Sequence, residues 1–151
     1  MNQSIEELLR NYQCTQFLLT QRIAKHLSFA IITACNPRGE LLSQSQNRHL
    51  DKLLLNEIEQ LHCPYRAIMG AASDMSHFEK SWAVFIDKSQ AVRLGERYVQ
   101  NAIFYVEQGE LRLIPILLKA DEVSLGNFQN RINLINDFPP DVSNGEKVKC
   151  P

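Results

Sequence analysis

The spacing of apolar residues switches along this chain between a period of three to four and a period of two, and each switch marks an element. Ser4 with Glu7 three residues on reads as a capping box. Ile5, Leu8, Leu9 and Tyr12 then form one apolar stripe, which predicts a first helix. Thr15 to Thr20 predicts a short strand with Phe17 and Leu19 on one face, while Gln21 to Leu27 is ambiguous, a turn of helix being one reading. The continuous apolar run Ser28 to Ala34 is short and β-branched, so a buried strand is expected. It stops at Asn36-Pro37-Arg38-Gly39, where Pro37 cannot donate to a ladder and Gly39 permits a positive φ. A second helix is predicted from Ser43 or Ser45 to Leu61, with Leu50, Leu54, Ile58 and Leu61 as its buried stripe and Leu53 widening it.

Strands follow at Tyr65 to Gly70 and at Glu79 to Ile86. Asp87 or Ser89 caps a third helix whose stripe is Ala91, Leu94 and Tyr98. Two further strands flank Gln108-Gly109, a hairpin connection. After Lys119 the pattern fades. Val123 to Ile135 holds at most a short helix, and Pro139-Pro140 with Ser143 to Glu146 reads as a loose tail. The order α-β-β-α-β-β-α-β-β predicts an α+β fold: a mixed, mainly antiparallel sheet of about five or six strands with helices packed on it. Residues 1–119 are expected as a single domain and residues 120–151 as a partly flexible C-terminal extension. Paired neighbouring strands are expected to be antiparallel hairpins.

Composition narrows the function classes. At 151 residues, with 44% hydrophobic and 22% charged, the chain suits one ordinary domain. Sixteen basic residues against seventeen acidic give a net charge of −1 with no basic run, which disfavours nucleic acid. No apolar run reaches the roughly 20 residues a membrane span needs, and the N-terminus lacks a secretory pattern. Four widely spaced cysteines without a C-x-x-C pair suit reduced thiols, so a cytoplasmic location is expected.

Several motifs carry a family resemblance. Tyr12-x-x-Thr15-x-Phe17, Ile32-Thr33-Ala34-Cys35-Asn36-Pro37-Arg38, Ser43-x-x-x-Asn47, Gly70, Glu79-x-Ser81 and Gln100-Asn101-Ala102-Ile103 occur in this order. In these segments, over roughly residues 10 to 118, the chain resembles a bacterial domain-of-unknown-function family, number 3293. The resemblance transfers no activity. Cys35 stands where the family tends to have Trp, and His77 where it tends to have an aromatic. If those aromatics line a site, the site here differs in shape or acid–base character.

Candidate chemistry rests on polar residues at element ends. Asn36 supplies donor and acceptor, and Arg38 a fork for carboxylate or phosphate; the competing reading is a plain turn. Asn47 falls in the middle of a leucine stripe, so it needs a partner, either the Asn36 loop or a ligand at the helix start. His77, Glu79 and Ser81 alternate along one strand face, which is solvent on the ordinary reading. On the functional one, Glu79 and His77 are the catalytic acid–base groups and Ser81 a ligand contact. Gln100 opens a strand, as a hydrogen-bonded strand end or a further ligand contact.

No nucleotide, hydrolase or metal motif is present, so no cofactor is named. The expected function is binding of a small anionic or nucleotide-like ligand by Asn36, Arg38, Ser43, Asn47, Ser81 and Gln100 with Glu79. The alternative is a protein–protein module or homo-oligomer, which an exposed patch of Trp82, Phe85 and Tyr105 would favour.

Overall fold

A computed structural model describes residues 4–138 of the chain. Its elements are α1 (Ile5–Gln13), β1 (Gln16–Leu19), β2 (Phe29–Ile32), α2 (Gln44–Gln60), β3 (Tyr65–Ala71), β4 (Phe78–Val84), α3 (Lys88–Arg97), β5 (Ala102–Glu107), β6 (Glu110–Pro115), β7 (Val123–Asn127) and β8 (Ile132–Leu134). The helices begin where side-chain oxygens cap them. Ser43 with Gln46 and Asp87 with Gln90 form complete capping boxes, and Ser4 accepts the Glu7 amide.

The eight strands form one mixed sheet in the order β7-β6-β5-β2-β4-β3-β1-β8. All neighbours are antiparallel except β1 and β8. The α+β class therefore holds, but the sheet has eight strands where the sequence suggested five or six. β3–β4 and β5–β6 are the expected hairpins, the second turning through Gln108 and Gly109 at φ 51° and 85°. β1 and β2 do not pair, because β4 and β3 lie between them. Gln21 to Leu27 contains no helix.

The region expected as an extension contributes β7, a 3-10 turn (Phe128–Arg131) and β8. Phe128 is buried with its ring against Phe17 and Phe29, so that turn is anchored in the interior. Pro139-Pro140 and Ser143 to Glu146 lie outside the described residues.

Helices α2 and α3 cover one face of the sheet, where Leu54, Ile58, Ala91 and Leu94 pack on Ala30, Ile32, Trp82, Val84, Ile103 and Tyr105. α3 lies close to β5 because Gly95 has no side chain: a Cβ there would stand 2.9 Å from Ile103 Cγ2. The opposite face is concave. Phe17 on β1 touches Phe104 on β5 at 5.2 Å between ring centres, although three strands separate them in the sheet. That contact requires the sheet to curl, and Phe29, Ile31, Ile68, Ala83, Val106 and Leu111 fill the hollow.

Arg131 spans the seam between the two ends of the curled sheet. Its guanidinium donates to the Leu125 carbonyl on β7 at 3.0 Å, to the Thr15 carbonyl at 3.1 Å, and to the Gln13 carbonyl that ends α1. The helix C-terminus holds unpaired carbonyls and a partial negative charge, so a guanidinium suits it.

Candidate functional site

The predicted site residues divide between the two faces of the sheet. On the helix side, Asn36 and Asn47 are 5% and 2% exposed and bond to each other. Asn47 Oδ1 accepts the Asn36 amide at 2.9 Å, and Asn47 Nδ2 donates to Asn36 Oδ1 at 3.0 Å. Asn36 Oδ1 also accepts the Leu42 amide. The amide in the leucine stripe thus ties α2 to the turn after β2. Asn36 itself sits in the left-handed region at φ 49°, which Asn tolerates. Its Nδ2 is buried without an acceptor among the described residues.

Replacing Asn47 by Ala strands the Asn36 amide in a buried place. We expect a loss of about 1–3 kcal/mol of stability, read by urea denaturation. An unchanged midpoint would show that the pair does not hold the turn.

The other predicted residues on this side have structural duties. Arg38 is exposed, with its own amide bonded to the Val99 carbonyl at 2.7 Å. Ser43 is the exposed cap of α2. Gln100 is buried, and its Nε2 donates to the carbonyls of Cys35 at 3.2 Å and Tyr98 at 3.1 Å, joining the turn to the end of α3. Cys14 and Cys63 are free thiols, whereas Cys35 is disulfide-bonded, which corrects the expectation of reduced thiols at that position.

Sequence reasoning missed Asp51. The buried stripe of α2 is Asn47, Asp51, Leu54 and Ile58, while Leu53 and Leu61 are exposed. Asp51 accepts from Trp82 Nε1 at 2.8 Å and pairs with Lys80 at 2.9 Å, and Lys80 lies over the Trp82 ring. The signal was its position four residues after Asn47 and three before Leu54.

On β4 this places Lys80 and Trp82 toward the helices, so Glu79 and Ser81 leave from the concave face. Ser81 is buried, and Glu79 is half-buried at the edge of the hollow. The cross-strand row through Glu79 runs to Gly70 on β3 and Phe17 on β1. Gly70 contributes no side chain: a Cβ built there would have Thr15 Cγ2 at 3.8 Å and nothing closer. From α1, the Tyr12 ring meets Phe104 edge-on at 5.9 Å.

Burial pushes the Glu79 carboxyl from its ordinary 4.5 up to about 7. The Tyr12 phenol is raised too, first by burial and then by the neighbouring Glu79 charge, so it stays protonated as a donor. A carboxyl close to neutrality at pH 7 can both give and take a proton.

His77 does not join this group. It is exposed in the β3–β4 turn, and its carbonyl accepts the Ala72 amide. The charge it acts on is Asp74, held below the usual carboxylate range first by hydrogen bonds from Ser76 and lastly by His77. Trp82 and Tyr105 are buried and Phe85 half-buried, so they do not form an exposed aromatic patch. Among the described residues no helix is long and apolar enough to cross a membrane.

Fold and site together define an α+β fold: a curled mixed sheet with α2 and α3 on one face, and with α1 and the half-buried Glu79 carboxyl at the other. Residues 32–103 match the sequence model of the family described as "Protein of unknown function (DUF3293)". That is the family the Thr-Ala-x-Asn-Pro and Glu-x-Ser segments pointed to, and the matched stretch contains both. It runs from the end of β2 into β5; Tyr12-x-x-Thr15-x-Phe17 lies before it. No curated protein and no solved structure matches the chain.

Proposed function

We propose that the protein binds a small molecule in a recess beside Glu79, at the rim of the filled concave face, and that Glu79 exchanges a proton with it. The observation that carries this reading is the Glu79 carboxyl itself. It is half-buried, stands opposite a glycine, and has no hydrogen bond or ion pair among the described residues. A structural carboxylate at such depth needs partners, because desolvation disfavours its charge. A functional one is poised by the same desolvation.

In this reading Glu79 is the acid–base group, and the Tyr12 phenol and the Ser81 hydroxyl orient the ligand. Gly70 leaves the space for it, and Phe104 provides an apolar wall. Asn36, Asn47, Ser43 and Gln100 hold the scaffold on the other face.

A thermal-shift and NMR screen of small metabolites against the wild-type chain tests the proposal. Hits are expected to weaken at least tenfold in Glu79→Ala and Tyr12→Ala and to be unchanged in Arg38→Ala. A hit indifferent to both recess substitutions places the binding site elsewhere.

One observation favours a second reading, an anion held at the turn after β2. The buried Asn36 Nδ2 has no acceptor among the described residues, and the exposed Arg38 is two residues away. In that case phosphate titration shifts the amides of residues 36–47, and Arg38→Ala removes the effect.

A further inference from the structure

Four acidic residues of the described chain are buried or half-buried: Asp51, Glu57, Glu79 and Glu122. Three of them have a cation of their own. Asp51 pairs with Lys80, Glu57 with Arg97, and Glu122 with both Lys88 and Arg112. Glu79 has none among the described residues. Its sequence neighbour Lys80 leaves β4 from the opposite face and is committed to Asp51. Among the described residues, those that strand register and charge coupling place beside Glu79 are Gly70 on β3, Phe17 on β1 and Tyr12 on α1, with Thr15 next to Gly70, and none of these is basic. Removing a carboxylate from water without a counter-charge is costly, and its companions in this fold show how the chain otherwise meets that cost.

The surroundings of Glu79 are also those a cation prefers. The Tyr12 and Phe104 rings meet edge-on, and Phe17 meets Phe104 edge-on in turn. Of these rings Phe17 is fully buried, while Tyr12 and Phe104 are half-buried and are the ones whose negative faces a positive group can approach. At Gly70 no side chain crowds the carboxyl: a Cβ there would only just touch Thr15 Cγ2 at 3.8 Å and the Glu79 carbonyl at 4.0 Å.

We propose that the recess takes a small organic cation, an ammonium or amidinium carried on an apolar group. The Glu79 carboxylate is its counter-ion, and Tyr12 and Phe104 are its walls. The proposal rests on the small-molecule reading above and adds the chemical class of the ligand. The ligand supplies the positive charge that Asp51, Glu57 and Glu122 each receive from within the chain. Its apolar part lies against the rings, and the Tyr12 phenol remains as a donor, while the Ser81 hydroxyl, which already donates to the Glu79 carbonyl at 3.4 Å, remains as an acceptor. Binding draws Glu79 into its ionised form, so a proton leaves as the cation enters wherever the carboxyl was protonated beforehand.

The test uses the full chain, observed by 1H–15N NMR, titrated with four probes of similar size: benzylamine, benzamidine, benzyl alcohol and phenylacetate. The two cations are expected to move the amides of Tyr12, Gly70, Glu79 and Ser81 and to saturate. The alcohol and the carboxylate should bind at least tenfold more weakly. Glu79→Gln should weaken the cations at least tenfold, and Gly70→Val, which fills the space, should abolish their effect while the spectrum stays that of a folded protein. For the wild type, amine affinity should fall as the pH is lowered from 8 to 6, because protons compete for the carboxylate.

Benzyl alcohol or phenylacetate binding in the recess as well as benzylamine overturns the cation assignment and leaves the small-molecule reading standing. Amine binding that Glu79→Gln does not weaken overturns the assignment as well. If no probe at millimolar concentration moves these amides, both fail.

Discussion

Phe128→Ala is expected to cost about 3–5 kcal/mol, the range for truncating a buried aromatic that the surroundings cannot fill. Phe128 is 1% exposed and lies in the hollow of the sheet, 5.4 Å between ring centres from both Phe17 and Phe29. Those two rings come from β1 and β2, which are not adjacent in the sheet. Loss of Phe128 therefore opens a void between strands that cannot collapse toward each other without uncurling the sheet. Urea or guanidinium unfolding should show a large drop in midpoint with little change in slope. A variant with nearly wild-type stability would mean that β7, β8 and their connection are an appendage after all.

The second large effect is a pH dependence that belongs to Glu79. Its carboxyl has a folded pKa of about 7 against an ordinary 4.5. Below about pH 4.5 it is neutral whether the chain is folded or not, and it contributes no difference. Between about 4.5 and 7 the unfolded chain ionises it while the folded chain keeps the proton, so stability falls as pH rises. Above 7 the penalty is present in full: the shift corresponds to roughly 3–4 kcal/mol, which solvent screening of this half-buried group reduces to the order of 2–3 kcal/mol. Glu79→Gln removes the titration. The variant and the wild type should differ least near pH 4.5, and the variant should gain progressively toward pH 8. Denaturation midpoints measured over that range check this, and two parallel curves would show that the carboxyl ionises at an ordinary pH.

Much of the order of elements was legible because each carries its own local signal. The caps Ser4, Ser43 and Asp87, the Pro37 break and the Gln108-Gly109 turn all act within four residues of themselves. β7 and β8 were not legible for the opposite reason. β7 is an edge strand with mostly exposed residues, β8 has three residues, and both exist through pairing with β6 and β1. In α2, hydropathy placed Leu61 inside and left Asp51 unremarked. The bonds to Trp82 and Lys80, 31 and 29 residues further on, turn the helix otherwise.

The candidate site divides the same way. Strand alternation put Glu79 and Ser81 on one face, and they do share it. That the face is an interior hollow and not solvent depends on the curl that brings Phe17 to Phe104 and Tyr12 to the edge of Phe104. No local pattern encodes that curl. Asn36 and Asn47 bond to each other on the helix side, toward which Trp82 also points, while Glu79 leaves β4 from the other face.

Arg131 has a bearing on how the chain is made. During synthesis β1 emerges among the first strands, yet one of its two partners is β8, and the guanidinium that locks β7 to the Gln13 and Thr15 carbonyls belongs to residue 131. A ribosome-bound chain ending before that residue leaves an edge of β1 bare and the Phe17 side of the hollow unsealed. Such an edge is a template for pairing with another chain. Closure of the sheet is thus a late event dominated by contacts distant in sequence, which slows folding. Nascent chains halted near residue 120 are expected to need a chaperone that those halted well beyond residue 134 do not.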